Sequence, residues 1–440
     1  MVRSFVGESA LEGDQLGLAL APALTPEGVA PSPCFFKGFA AFPAVVARGL
    51  AALAEVTATR YFQYRPEVSR DPVLSAQGDR LRAECFSACN GVYARLDLLE
   101  AGFDGGEIGF GTTNVDVNLG LRQALARVRR DQLLRLEVGS DGLEVSSLDE
   151  TVRERPVAMP DRWVRALGNA AQAHCGLERV VELDQARARS FVASLPAATG
   201  KDQSGWLTPS PAGARLAARR TGGAVFVAGL RRLSALKRLL TNLEELTFYQ
   251  AADSEPGPVL VEAALPAARL TLGLTAEAWR GFSGEGALLV SLAAPTALED
   301  ARLVGVLLAF EPVIDVARLA RKAGIGPERA RAALAVLAAS GRVGWDAHDS
   351  AYFHRELPDD PDRVTRDNPR LAAARGLVEA VEAAGGGQWL VRSGGGDYQV
   401  SFDPAGGVSA ARCTCAWYLK HPTGRGPCKH VLAVQLKESA

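Results

Sequence analysis

Four residues near the carboxyl end have the types and spacing to do chemistry. Cys413, Cys415, Cys428 and His430 form the pattern C-x-C-x12-C-x-H. Thiolate sulfur and imidazole nitrogen are the donors of closed, tetrahedral zinc sites. Three of the seven cysteines and two of the five histidines fall within residues 411–438. Free buried thiols are the alternative, but a symmetric spacing joined by a turn-rich loop favours a metal. Four protein ligands leave no open position, so the expected ion is structural Zn2+. His421 competes for the fourth place, yet it lies mid-loop with no spacing partner.

Two kinds of element must hold these side chains. On an extended segment, residues i and i+2 point the same way, so Cys413 and Cys415 can face one point. Cys428 and His430 precede or open "KHVLAVQLKE", which has helical apolar spacing, and the positive end of a helix favours thiolate. Pro422, Gly424, Gly426 and Pro427 suit the intervening stretch to a loop.

The pattern "CTC…CKHVLAV", preceded by the hairpin-like "WLVRSGGGDYQVSFD", resembles the SWIM-type zinc finger. The stretches "CFFKGF", "DPVLSAQGDRLRAECFSACNGVYARLD", "GTTNVDVN" and "EAWRGFSGEGALL" also resemble bacterial SWIM zinc-finger proteins. The resemblance implies binding of DNA or protein. It also implies a place in a multi-protein system with MoxR-type ATPases and von Willebrand A-type proteins.

Around the finger, Trp417, Lys420, Arg425 and Lys429 set an aromatic ring among cations. Residues 389–440 carry six basic groups against three acidic ones. Such a loop suits phosphates and stacked bases, a protein hot spot, or plain solvation. Upstream, "LEDARLVGVLLAF", "VIDVARLARKAG" and "RARAALAVLAASG", followed by "RVGWDAHDS" and "AYFHRELP", predict three helices and a hairpin, a winged helix-turn-helix. Its second motif helix offers only Arg329 and Arg331 to a duplex, and 312–357 holds seven basic against five acidic residues. That footprint is weak for DNA, so a packing or partner role is preferred. His348 and His354 are expected as solvated wing residues.

The remainder bounds the class. The chain has 440 residues and a net charge of −1, so it is not a generic polyanion binder. No stretch reads as a secretory signal or membrane span, and scattered cysteines argue against a disulfide framework, so a cytoplasmic location is expected. The expected fold is α+β and multidomain, with boundaries at 1–165 and 166–297 (two α+β domains), 298–357 (winged helix), 358–388 (linker and helix) and 389–440 (finger). Residues 60–150 and 205–275 are read as copies of one layer, strand-strand-helix-strand-strand, the second with a long helix over "RRLSALKRLLTNLEELTFYQ".

Other motifs carry less. "GFGTTNVD" lacks the lysine of a phosphate loop. "RGFSGEG", with Ser283 and Glu285, misses the nucleophile-elbow spacing and has no nearby histidine. Cys85 and Cys89 lack metal partners in sequence. The expectation is a non-catalytic zinc adaptor that engages a protein partner through its finger. DNA or RNA binding is the alternative, and an enzyme with a site in the N-terminal half is third.

Overall fold

The computed structural model describes residues 34–62, 72–252, 256–282, 286, 288–294, 296–357, 362–402, 410–421 and 425–438. It also places two short strand pairs within 10–30. Ser283 and Glu285 of the glycine-rich turn, and Pro422 and Gly424 of the finger loop, lie outside the described residues.

An eight-stranded antiparallel sheet dominates the N-terminal two thirds. Its central pair joins Val92–Leu99 to Ala268–Leu274. On one side follow Arg80–Phe86, Val73–Gln77 and Phe110–Asn114. On the other follow Val259–Leu265, Glu245–Gln250 and Glu178–Leu183. The two α+β regions expected at 1–165 and 166–297 therefore share one sheet, and one core runs from Phe35 to Phe282.

Alternation along these strands gives the sheet two unlike faces. Leu81, Ala83, Leu96, Leu270, Leu272 and Val261 point to one side and are buried. Beneath them pack the helix Pro43–Ala58 and the 3-10 helix Leu230–Leu239. Arg82, Glu84, Arg95, Asp97, Arg269 and Thr271 point to the other side and are buried as well.

Two expectations need correction here. The long helix over 231–250 ends early: Leu230–Leu239 is helical and Glu245–Gln250 is a strand. Leu246 and Phe248 gain full burial in the sheet, which outweighs a helical propensity difference of a few tenths of a kcal/mol per residue. The paired layers also differ in place. Leu134–Gly139 and Gly142–Ser147 belong to a separate five-stranded sheet with Thr151–Glu154, Cys34–Ala40 and Phe103–Ile108. Their expected counterparts at 259–274 lie in the large sheet. Across the central pair, the matching order is a helix followed by three consecutive strands, 43–58 with 73–99 and 230–239 with 245–274.

The helical region comprises Ala297–Leu307, Val316–Ala323 and Pro327–Ala339, followed by the hairpin Val343–Asp346 with Ala351–His354. Asp315 caps the second helix by accepting from Arg318 N at 2.9 Å, and Gly324 ends it in the left-handed conformation. Residues 333–340 are buried without interruption. The helix Asp161–His174 covers them, and a Cβ on Gly168 would stand 2.4 Å from Ala338 O.

The hairpin lies on the polar face of the sheet. Asp346 is wholly buried there, 2.9 Å from Arg82, 2.8 Å from Arg95 and 3.6 Å from Arg269. Asp97 stands opposite both Arg82 and Arg269 in the strand register. Arg355 makes a bidentate pair with Glu84 at 2.9 and 3.0 Å. The expectation of solvated wing histidines is therefore corrected for His354, while His348 is exposed. His354 is buried, and its Nδ1 accepts from Phe310 N at 2.9 Å. Burial, then Arg342 and Arg355, push its imidazole down to about 3, so it is a neutral acceptor. His348 Nδ1 lies 2.8 Å from Glu262 on the sheet, with its side chain 42% exposed.

Candidate metal centre

The finger is built on a four-stranded sheet of Val381–Gly385, Gln388–Ser393, Gly396–Ser401 and Arg412–Cys413. The alternating pattern of "QWLVRS" and "GDYQVS" sends Val391 and Val400 inward. Against them lies the helix Lys429–Glu438, which buries Val431, Leu432, Ala433 and Val434. The same core continues through Leu289 and Leu292 into the helices 297–307 and 327–339. The finger is thus packed on the helical region.

Each ligand has a defined perch. Cys413 ends its strand, and Cys415 caps the short helix Ala416–Lys420 by accepting from Tyr418 N at 3.4 Å. Cys413 Sγ accepts from Cys415 N at 3.5 Å. Cys428 immediately precedes the closing helix, and His430 is its second residue. All four side chains are buried, and their donor atoms lie within 4.8 Å of one another. Cys413 Sγ and His430 Nδ1 are 3.7 Å apart. Tetrahedral bonds of about 2.3 Å to sulfur and 2.0–2.1 Å to nitrogen require roughly 3.6 Å between those atoms.

The donor chemistry fits the same ion. Hydrogen bonding by Cys413, against opposing burial, brings the Cys428 thiol down to about 4. Its neighbours move the other way. The hydrogen bond to Cys428 and then burial push Cys413 far up, and burial raises Cys415. Left to themselves, the three sulfurs share too little compensating charge to ionise together. A divalent cation supplies that charge and binds all three as thiolates. His430 is held flat by Tyr398, whose ring is stacked on it at 4.2 Å and 17°.

The loop before Cys428 is tied down from outside the finger. Arg370, on the helix Pro369–Arg375, donates to Arg425 O at 2.8 Å and Pro427 O at 2.9 Å. Its guanidinium also stands 4.4 Å from the Trp417 ring centre. Gly426 and Gly286 pack backbone to backbone: a Cβ on Gly426 would stand 2.6 Å from Gly286 O, and Gly426 has φ +68°. Partners that orient ligand-bearing segments typically affect metal affinity by about 10–100-fold. Arg370→Ala is accordingly expected to weaken zinc binding by about tenfold in a competition titration with a chelator; unchanged affinity would show that the loop holds itself.

Other sequence-nominated residues fall in two places. Trp417, Lys420 and Arg425 surround the same loop, and Lys429 opens the closing helix. His421 stacks edgewise near Trp417, with ring centres 5.4 Å apart, and belongs to no metal cluster among the described residues. Arg329 and Arg331 sit on the first turns of 327–339. Arg329 is held by Asp300 at 2.6 and 2.9 Å, and Arg331 by Glu328. Sequence reasoning missed Trp279, Arg280 and Arg370, which reach this region from distant segments with no spacing signal to announce them.

Clefts lie in the N-terminal region, one of them lined by Arg127, Gln132, Asp149 and Glu150. A second of about 580 Å3 is lined by Phe36, Lys37, Asp104, Arg135 and adjoining glycines. Another of about 270 Å3 is lined by Arg130, Gln185, Arg189, Asn242 and Glu244. Each of the latter two has a single carboxylate and no histidine among its lining residues.

Residues 398–437 match the SWIM zinc finger family, and the four-residue cluster fits its C-x-C-x12-C-x-H pattern. A comparison with curated proteins finds no match. Among solved structures, the chain is similar to proliferating cellular nuclear antigen from Entamoeba histolytica, with TM-score 0.38 and 13% identity over 55% of this chain and 99% of that one. It is similar also to the PCNA2–PCNA3 complex from Sulfolobus tokodaii, with TM-score 0.42 and 11% identity over 55% and 100% of the respective chains. Likeness at this level carries no functional argument.

Proposed function

We propose that this chain, which ends in a SWIM zinc finger, is a non-catalytic cytoplasmic adaptor that engages a protein partner through the finger's loop. One observation carries the reading. The finger buries one side in the second core, and the segment its metal ligands bracket carries a half-buried Trp417 and Arg425 beside an exposed Lys420. Zinc then sets the shape of the surface that recognises, while the large sheet serves as its platform. Partnership with MoxR-type ATPases and von Willebrand A-type proteins belongs to this proposal.

We read 297–354 as a winged helix used for packing. Its second motif helix has residues 333–340 buried, and its hairpin is anchored to the sheet through Asp346. The anchored hairpin weighs against DNA binding, which needs a free wing, and at the exposed first turn Arg329 is engaged by Asp300.

The test is affinity capture from native cells with the full chain, with Trp417→Ala, and with chelator-stripped protein. A partner recovered in equal proportion with the full chain, and lost with both treatments, is the expected outcome. Equal recovery in all three would defeat the reading.

A further inference from the structure

The finger loop does not face solvent alone. The turn at 277–282 and the helix Pro369–Arg375 come to it from outside the zinc finger. Arg425 lies over the Trp279 ring at 5.7 Å, and Arg370 over Trp417 at 4.4 Å. Trp279 remains 52% exposed. Burial, then the charges of Arg425 and Arg370, lower the Arg280 guanidinium, with Glu277 the one acidic influence among the described residues. His421 is lowered by burial and by the charges of Arg425, Lys420, Arg280 and Arg370. Four cations therefore share one small surface with two tryptophans.

We infer that this composite surface binds an acidic peptide segment. Arg280, Arg425 and Lys420 take its carboxylates, and Trp279 and Trp417 take its apolar flank. The inference rests on the reading of the finger loop as the recognising module, and it names the chemistry of the partner.

Three observations favour a peptide. Three of the cations are arginines, whose planar forks fit carboxylates two bonds at a time. Each tryptophan already has a guanidinium over its ring, which removes a face that a base would stack on. Arginine and tryptophan together are the composition of protein hot spots. A single-stranded nucleic acid would also need a longer cationic track, and the chain's net charge of −1 gives it no general attraction.

The test uses the zinc-loaded full chain and fluorescence anisotropy. The probe is a labelled peptide alternating glutamate, aspartate and leucine. Its controls are the glutamine–asparagine counterpart and an oligo-dT of equal length. The acidic peptide is expected to bind at least tenfold more tightly than either control. Arg280→Ala is expected to weaken it by about tenfold with zinc content unchanged, since Arg280 neither ligates the metal nor lies in the finger. Equal affinity for the amide peptide, tighter binding of oligo-dT, or no effect of Arg280→Ala overturns the inference. If Arg280→Ala is silent while Trp417→Ala still abolishes partner capture, the acidic-peptide assignment falls and the finger reading stands. If both variants are silent in both assays, both fall.

Discussion

Cys428→Ser is expected to take bound zinc from one ion per chain to a small fraction, and to unfold the finger while the large sheet stays intact. The magnitudes make this a steep effect. Structural zinc contributes about 10–16 kcal/mol of apparent binding energy in finger peptides. The finger's large buried aliphatic and aromatic side chains are few among the described residues: Val381, Val391, Val400, Phe402, Val431, Leu432 and Val434. So little apolar burial does not hold a module of this size folded without the metal. Elemental analysis checks the first half, and hydrogen exchange checks the second. Amides of 388–401 and 429–438 should lose protection, and those of 80–99 and 259–274 should keep theirs. Full zinc occupancy in the variant would mean that another group, with His421 the nearest candidate in the loop, completes the site. Because the ligands bind as thiolates and neutral imidazole, zinc affinity is also expected to fall as pH falls.

The second large effect is expected far from the metal. Asp346→Asn leaves Arg82, Arg95 and Arg269 buried without their shared carboxylate. Breaking one side of a buried ion pair costs about 3–5 kcal/mol, whereas an exposed pair such as Arg392–Glu382 is worth about 0–1. Urea denaturation should therefore separate Asp346→Asn from Glu382→Gln by several kcal/mol. A difference under about 1 kcal/mol would show that the hairpin is held by apolar packing alone. The charge also sets a pH dependence. Burial opposes ionisation of Asp346, but Arg95, Arg82 and Arg269 outweigh it and hold the carboxyl far below the usual range. Asp97 is lowered in the same way by Arg82 and Arg95, against its own burial. A depressed folded value means that the unfolded chain binds protons first as pH falls. The contribution is therefore complete above pH of about 4 and is lost as pH falls through the depressed values. Acid unfolding of Asp346→Asn should show a shallower slope below that pH.

These two predictions mark different depths of legibility. The zinc ligands could be read from four letters, because tetrahedral coordination demands particular donors and a short-range spacing. The helix after Cys428 and the paired strands before Cys413 could be read too, since both follow from local apolar periodicity. The docked hairpin could not. Asp346 looked like one of five acids in a weakly charged unit, and only the strand register places it against arginines more than seventy residues away. The helix of 231–250 failed for a related reason: Glu245–Gln250 has a helical neighbour in sequence but strand neighbours in space.

By itself, the sequence determined the metal, its ligands and the small elements that present them, because those depend on side-chain chemistry and on contacts a few residues apart. It also determined that mixed helix and sheet would precede the finger. Only the tertiary structure decided that two stretches of strands merge into one sheet, that the hairpin is committed to that sheet, and that Trp279, Arg280 and Arg370 join the finger's loop. Such placements depend on pairing and burial between residues far apart in the chain, and no spacing in a linear order encodes them.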